Sequence, residues 1–338
     1  MSWHELRREM GFASAILRRR PFNVLLQLTN RCNMKCSFCD FWPNGVKPEE
    51  ELSLDDFRGL EEDLAGLGRF LVSLEGGEPF VRPDLVEIVR VFARRHVPVL
   101  YTNGWYVTPE NARALFEADL VQVGVSIDYA VAARHDAKRG LAGASDRAWR
   151  AIDTLRDAAR HGGKQVHVIT VLMNNNVDQI EPLLALSRER GVGHVLTLLS
   201  RSGFRRGQHG DEWPAAGVSD RLADLWRRNP HWRSWGEYVE TIDSFLSGGP
   251  MPTCRAGLQS FNIDHVGNVS PCIEKIDRVC GNVRREALRD IHARLVADRS
   301  EVESCQQCWT LCRATGQLMG AGGSLRSWRE LATRMRSR

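Results

Sequence analysis

Nine cysteines, bunched toward the two ends of the chain, constrain this sequence more than any other feature. Cys32, Cys36 and Cys39 form one group. After a long cysteine-free stretch come Cys254, Cys272, Cys280, Cys305, Cys308 and Cys312. An odd count in two bunches is the wrong pattern for a disulfide framework and points to metal or redox chemistry in a reducing compartment. The rest of the sequence agrees with that compartment. Charges begin at Glu5 with no secretory apolar region behind them, and no apolar run approaches the roughly 20 residues of a membrane span. A cytoplasmic protein is the expectation. The 46 basic and 42 acidic residues leave a formal charge of +4, interspersed along the chain. That balance gives no footprint for a nucleic-acid partner.

Between residues 22 and 200, short apolar runs alternate with longer amphipathic stretches. The runs 23–29, 70–75, 97–102, 120–127, 165–172 and 194–199 read as strands. The stretches near 53–66, 83–95, 108–117, 145–161 and 177–190 read as helices, the first opened by Ser53 as an N-cap. Six such units predict an α/β fold with a parallel sheet. It closes either as an open doubly wound sheet or as a partial (β/α)6 TIM-like barrel, and both place ligands at the C-terminal strand ends. Residues 201–253 break the pattern and read as a linker that builds the substrate pocket. Residues 259–272 read as a β-hairpin turning at Gly267-Asn268, followed by a helix near 286–297.

The first cysteine group directly follows strand one, at the mouth of the sheet. Three thiolates leave a four-iron cluster one ligand short, and an open iron suits catalysis, whereas structural metal sites are normally closed. A zinc site with a distant fourth ligand is the alternative. The spacing Cys32-x3-Cys36-x2-Cys39, with Phe38 before the last cysteine, resembles the radical S-adenosylmethionine superfamily. Glu75-Gly76-Gly77-Glu78-Pro79 at the second strand end is similar to that family's GGEP motif. Asn103 after strand three, Ser126 and Asp128 after strand four, and His135-Asp136 with Arg139-Gly140 follow in family order. The resemblance implies a [4Fe-4S] cluster with an open iron chelated by S-adenosylmethionine. It also implies cofactor contacts at Phe38, Gly76, Gly77, Glu78, Pro79, Asn103, Ser126, Asp128 and Arg139. Without a Cβ, Gly76 and Gly77 would let backbone approach the ligand. The family's adenine-contacting motif is not recognisable on strand five.

The pattern Cys254-x12-Gly267-x4-Cys272 resembles the C-terminal SPASM and shorter twitch extensions. Too few cysteines follow for the full two-cluster form, so one auxiliary [4Fe-4S] cluster is expected. Its ligands would be Cys254, Cys272, Cys305 and Cys308, with Cys312 competing for the last place; a zinc knuckle is the alternative. Cys280 has no place in that count. It reads as a core residue, as a ligand, or as a thiol giving a hydrogen atom to the substrate radical.

The expected divisions are an amphipathic N-terminal helix (1–21), the partial barrel (22–200), the pocket segment (201–253), a small twitch-like domain (254–312) and a basic C-terminal helix (313–338). In the first helix Trp3, Leu6, Met10, Ala13 and Leu17 share a face, expected to pack under the barrel, with membrane contact as the alternative. The chain before Cys32 is shorter than the about 80–90 residues of a leader-peptide-binding domain, which argues against the usual peptide maturase. The expected function is hydrogen abstraction from a small natural-product or carbohydrate-like substrate, ending in oxidation or epimerisation. Electrons would come from a flavodoxin or ferredoxin. A peptide cross-linking or epimerising maturase, a lipid-modifying enzyme, and a zinc-stapled or cluster-sensing scaffold are the alternatives.

Overall fold

A computed structural model describes residues 10–16, 18, 20–160, 163–200, 212–318 and 324–336. Trp3, Leu6 and Leu17 of the expected N-terminal face, and residues 201–211 of the expected pocket segment, lie outside them.

After helix α1 (10–16), six βα units follow. The strands are β1 (Asn23–Thr29), β2 (Leu71–Gly76), β3 (Val97–Thr102), β4 (Gln122–Ser126), β5 (Gln165–Leu172) and β6 (Gly193–Leu198). The helices between them are α2 (Leu54–Leu67), α3 (Leu85–Ala93), α4 (Pro109–Glu117), the pair α5 (Ala132–Arg139) and α6 (Ala144–Ala158), and α7 (Ile180–Glu189). Ser53 caps α2 by accepting the Asp56 N–H, and Thr108 caps α4 through Asn111. Both are polar side chains satisfying backbone donors that a helix start leaves orphaned.

The strands are parallel and lie in consecutive order. A doubly wound sheet reverses its order at a switch point, so consecutive order selects the partial barrel, with its helices on one face. Alternation along each strand sorts the side chains. Val24, Leu26, Val72, Leu74, Leu100, Val123 and Val168 point outward into a core shared with the helices. Leu25, Ser73, Glu75, Tyr101, Ile169, Val171 and Thr197 point inward and line a cavity. Gly124 keeps that interior open, because a Cβ there would lie 3.1 Å from the Tyr101 ring and collide with Ile169.

The C-terminal cysteine region shares this sheet. Strand β7 (Ser260–Ile263) pairs parallel with β1, and β8 (Asn268–Ser270) and β9 (Gly281–Asn282) continue antiparallel, giving nine strands in all. The free edge of β1 is thereby covered, as exposed strand edges normally must be. The β7–β8 turn matches its sequence signal: Gly267 has φ +91°, and Asp264 accepts the Val266 and Asn268 N–H groups.

A second core lies outside β6. There α8 (Ser219–Arg228), α9 (Gly236–Glu240) and α10 (Ile242–Leu246) bring Trp232, Trp235, Tyr238 and Phe245 against Leu196 and Leu198. Ala15 and Ile16 of α1 join it, while Met10 is 62% exposed. The described part of α1 therefore packs through a different face from the one containing Met10. After α11 (Leu288–Ala297) and α12 (Ser300–Glu303), helix α13 (Leu311–Leu318) lies against β6, its Leu311 N–H donating to Thr197 Oγ1 at 3.1 Å. Helix α14 (Leu325–Arg336) ends the described chain. Among the described residues no helix is long and apolar enough to cross a membrane.

Candidate active site and auxiliary metal centre

The cysteine loop leaves β1 and is gripped from three sides. At the end of β2, the Gly77 N–H donates to the Thr29 carbonyl at 2.7 Å and the Glu78 N–H to the Arg31 carbonyl at 2.9 Å. A Cβ on Gly77 would collide with the Arg31 carbonyl oxygen and lie 2.8 Å from the Asn30 carbonyl carbon. Gly76, at φ +124°, faces the Thr29 carbonyl in the same way. The position a Cβ on Gly77 would take is thus filled by the chain's own backbone. From the opposite side, the end of α5 accepts the Lys35 and Ser37 N–H groups at its Arg139 and Lys138 carbonyls. Gly140, at φ +66°, passes so close that a Cβ would lie 2.7 Å from the Lys35 oxygen. Thirdly, Glu51 binds the Arg31 guanidinium at 2.9 Å, reaches Arg82 at 3.4 Å and accepts the Thr29 hydroxyl.

These contacts bring Cys32, Cys36, Phe38, Cys39, Gly76, Gly77, Asn103, Ser126 and Arg139 to the wall of one cavity of about 270 Å³. Glu78, Pro79 and Asp128 are not on that wall. The Glu78 side chain is fully buried and turned away, accepting from Thr102 Oγ1 and the Asn103 N–H at 2.7 Å and from the Phe80 N–H at 3.1 Å. It ties the ends of β2 and β3 together, and burial pushes its pKa up to about 7. Asp128 is equally buried. It pairs with Arg139 at 2.6 Å and accepts the Val171 N–H at 2.9 Å, while its own N–H donates to His135 Nδ1. Asp136 holds the start of α6 through the Gly143 and Ser145 N–H groups. The contacts of Glu78, Asp128, His135 and Asp136 are therefore to the chain itself, in place of the ligand contacts expected of Glu78 and Asp128.

Arg139 stays at the site. Its guanidinium lies 3.9 Å from Cys36 Sγ and 5.4 Å from the Phe38 ring centre. Asn103 Nδ2 donates to Asn33 and lies 3.8 Å from Cys32 Sγ. Burial, then the neighbouring Glu78, Cys36 and Cys39, push the Cys32 thiol up to about 12 despite a backbone donor at Met34. Burial also raises Cys36, with Arg139 opposing it. Without a metal such thiols keep their protons; binding iron displaces them.

The same cavity wall carries polar groups that the sequence reading did not assign to it: Ser73, Glu75, Tyr101 and Thr197 from the strands, Thr310 and Thr315 around α13, and Cys312, expected only at the auxiliary cluster. The strand members follow from inward alternation. Those of α13 lie too far along the chain for any local signal. No described residue of 212–253 lines the cavity, because that segment's apolar side chains are buried outside β6.

A second cavity, of about 410 Å³, collects Cys254, Cys272, Cys305, Cys308 and Cys312. Burial raises Cys254 and Cys272, and pushes Cys308 up to about 12, with Cys312 adding to it. Among the described residues no three His, Cys, Asp or Glu side chains close on one ion. Thiols spread round a space this large suit a polynuclear cluster better than a tetrahedral zinc. Cys280 lines neither cavity. Its N–H is spent on the Val269 carbonyl at 2.8 Å, and its side chain packs against the core on the α11 face of the sheet. The pairing to Val269 turns it toward the sheet core, which fits the core-residue reading of Cys280. The two cavities meet: Leu25, Thr310 and Cys312 line both.

Residues 26–186 match the radical SAM superfamily, and residues 254–309 match the SPASM iron–sulfur cluster-binding domain. The AdoMet-dependent heme synthase of Methanosarcina barkeri is 33% identical over 292 residues, covering 80% of this chain and 82% of its own length. The chain belongs to the radical SAM superfamily. Another relative of this radical SAM protein is the mycofactocin maturase of Mycolicibacterium smegmatis, 34% identical over 263 residues. That alignment covers 75% of the chain but 64% of the maturase, just under two thirds. Streptococcus suis SuiB bound to precursor peptide SuiA shares the fold at 14% identity, with a TM-score of 0.63 over 85% of this chain and 69% of SuiB. The enzyme anSMEcpe with bound AdoMet and a Cp18Cys peptide superposes at 0.61 and 16% identity, over 94% and 97% of the two chains. Membership brings a [4Fe-4S] cluster and S-adenosylmethionine, and the SPASM match brings auxiliary iron–sulfur chemistry.

Proposed function

We propose that this radical SAM enzyme takes a hydrogen atom from a small polar organic substrate inside the barrel and resolves the resulting radical beside one auxiliary four-iron cluster. Reductive cleavage of S-adenosylmethionine at the cluster supplies the 5′-deoxyadenosyl radical that abstracts the hydrogen. Cys32, Cys36 and Cys39 hold that cluster at the barrel mouth. Asn103, Ser126 and Arg139, with the backbone at Gly76 and Gly77, face the S-adenosylmethionine beside it, and Phe38 packs under Arg139. Cys254, Cys272, Cys305 and Cys308 hold the auxiliary cluster. Ser73, Glu75, Tyr101 and Thr197 hold the substrate's polar groups, and the apolar helix-covered wall excludes water from the radical. A flavodoxin or ferredoxin supplies the electrons.

The observation that carries this reading is the wall shared by the two cavities, formed at Thr310 and Cys312. A cluster held by Cys254, Cys272, Cys305 and Cys308 would supply an electron acceptor beside the barrel, which suits oxidation of the substrate; epimerisation would instead require a hydrogen atom returned from the opposite side. The maturase relative and the peptide-bound neighbours favour a second reading, in which the substrate group is a side chain of a peptide.

The test is mass spectrometry of cell extract incubated anaerobically in heavy water with reduced, reconstituted enzyme. A small molecule that loses two hydrogens, or keeps its mass apart from one deuterium, is expected. A modified peptide as the product would select the second reading. Failure of the reduced enzyme to form 5′-deoxyadenosine would remove both.

A further inference from the structure

The fold buries a cation against one thiol of the triplet. Arg139 is 7% exposed, Cys36 is 8% exposed, and Asp128 is fully buried. Arg139 Nη1 lies 3.9 Å from Cys36 Sγ, within reach of a donor to sulfur, while Nη2 pairs with Asp128 Oδ2 at 2.6 Å. Resting on the placement of a four-iron cluster at Cys32, Cys36 and Cys39, we infer that the Asp128–Arg139 pair tunes the reduction potential of that cluster, acting through the Cys36 thiolate.

Local structure holds the pair in register with the cysteine loop. Arg139 is the last residue of α5, and Gly140 turns left-handed directly after it. The Arg139 carbonyl accepts the Lys35 N–H at 3.2 Å, and its guanidinium reaches the sulfur one residue further on. Asp128 is itself pinned by the Val171 N–H of β5 at 2.9 Å. One side of the guanidinium is therefore clamped by a fixed carboxylate, which keeps the other side at Cys36. In the protein without metal, Arg139 already favours the anionic form of Cys36 and opposes the effect of burial.

The two members of the pair act with opposite sign. Reduction moves one electron from a ferredoxin- or flavodoxin-class carrier onto an already anionic cluster, with no proton transfer and no change of bonding at Arg139. A cationic donor to a ligand sulfur stabilises the more negative, reduced state and raises the potential. A carboxylate nearby disfavours that state and lowers it. Burial leaves both effects weakly screened by water and salt. Asp128 thus holds the donor in place and moderates the rise that a lone guanidinium would cause.

The test is a redox titration of reconstituted holoenzyme, followed by electron paramagnetic resonance and run without S-adenosylmethionine. The signal that disappears when Cys32, Cys36 and Cys39 are all changed to Ala belongs to the triplet's cluster. Arg139→Gln should lower the equilibrium constant for its one-electron reduction at least tenfold, a midpoint shift of about 59 mV. Asp128→Asn should raise the midpoint, and Arg139→Lys, which keeps the charge, should lie between wild type and Arg139→Gln. The Arg139→Gln/Asp128→Asn double variant should fall between its two parents. A midpoint unmoved in Arg139→Gln, or moved in the same direction by Arg139→Gln and Asp128→Asn, would overturn the inference. Weakened S-adenosylmethionine binding at an unmoved midpoint would make Arg139 a ligand contact instead. Loss of the triplet's iron from every one of these variants would reduce the pair to a prop for the loop, and would overturn the inference as well. Wild-type enzyme with no reducible signal at the triplet would instead strike the placement of the cluster.

Discussion

At the scale of single residues, Gly77 separates what a motif says from what a fold does with it. The glycine pair was legible in the sequence, and a ligand approaching its backbone was the natural reason. The structure supplies a nearer one, since the atoms a Cβ would strike belong to Asn30 and Arg31, the first residues of the cysteine loop. Gly77→Ala should therefore displace that loop and not merely the ligand. We expect reconstituted Gly77→Ala to lose about four of its eight irons and to form at least tenfold less 5′-deoxyadenosine, read by iron analysis and chromatography. Retention of all the iron with weakened S-adenosylmethionine binding would restore the ligand-clearance explanation. Glu78 and Asp128 teach the same lesson. Their identities were readable, but whether a carboxylate turns toward a cavity or toward backbone N–H groups depends on neighbours 24 to 43 positions away in the chain.

At the scale of elements, the six barrel strands were legible almost to the residue, because buried parallel strands are continuous apolar runs that local sequence displays. Helix α5 escaped notice. Its sequence AARHDAKR is short and polar, and its buried members are His135 and Arg139, which no apolar periodicity marks. The hairpin was legible as a hairpin, but its partner was not, since pairing of β7 with β1 joins segments more than two hundred positions apart. A chain of buried polar side chains fixes that pairing. Gln27 donates to Asn262 at 2.9 Å, Asn262 donates to Ser270 at 3.2 Å, and the Ser270 hydroxyl reaches the Cys272 carbonyl at 3.3 Å. Asn262→Leu strands the Gln27 amide N–H in the sheet, at a cost of about 1–3 kcal/mol, and leaves the Ser270 hydroxyl with its Cys272 contact alone. It should lower the denaturation midpoint and selectively deplete auxiliary iron, leaving the triplet's cluster and its S-adenosylmethionine cleavage in place. Equal loss of iron from both sites would show that this polar chain supports the whole sheet and not the hairpin.

At the scale of the whole molecule, one nine-stranded sheet carries both cysteine groups and sets them around two cavities with a common wall. Cysteine spacing disclosed the two groups, but not that α13 would form the partition between them. That follows from tertiary packing of α13 against β6, with no trace in periodicity or composition. The proposed function requires the two groups to hold two iron–sulfur clusters of different duty. It is tested most directly by iron, sulfide and 5′-deoxyadenosine analysis of anaerobically reconstituted wild-type enzyme beside a triple variant, Cys32→Ala, Cys36→Ala and Cys39→Ala. The wild type should hold about eight irons and about eight labile sulfides and form 5′-deoxyadenosine when reduced; the variant should hold about four of each and form none. A variant that binds about one zinc with no labile sulfide, or that still cleaves S-adenosylmethionine, would contradict the account.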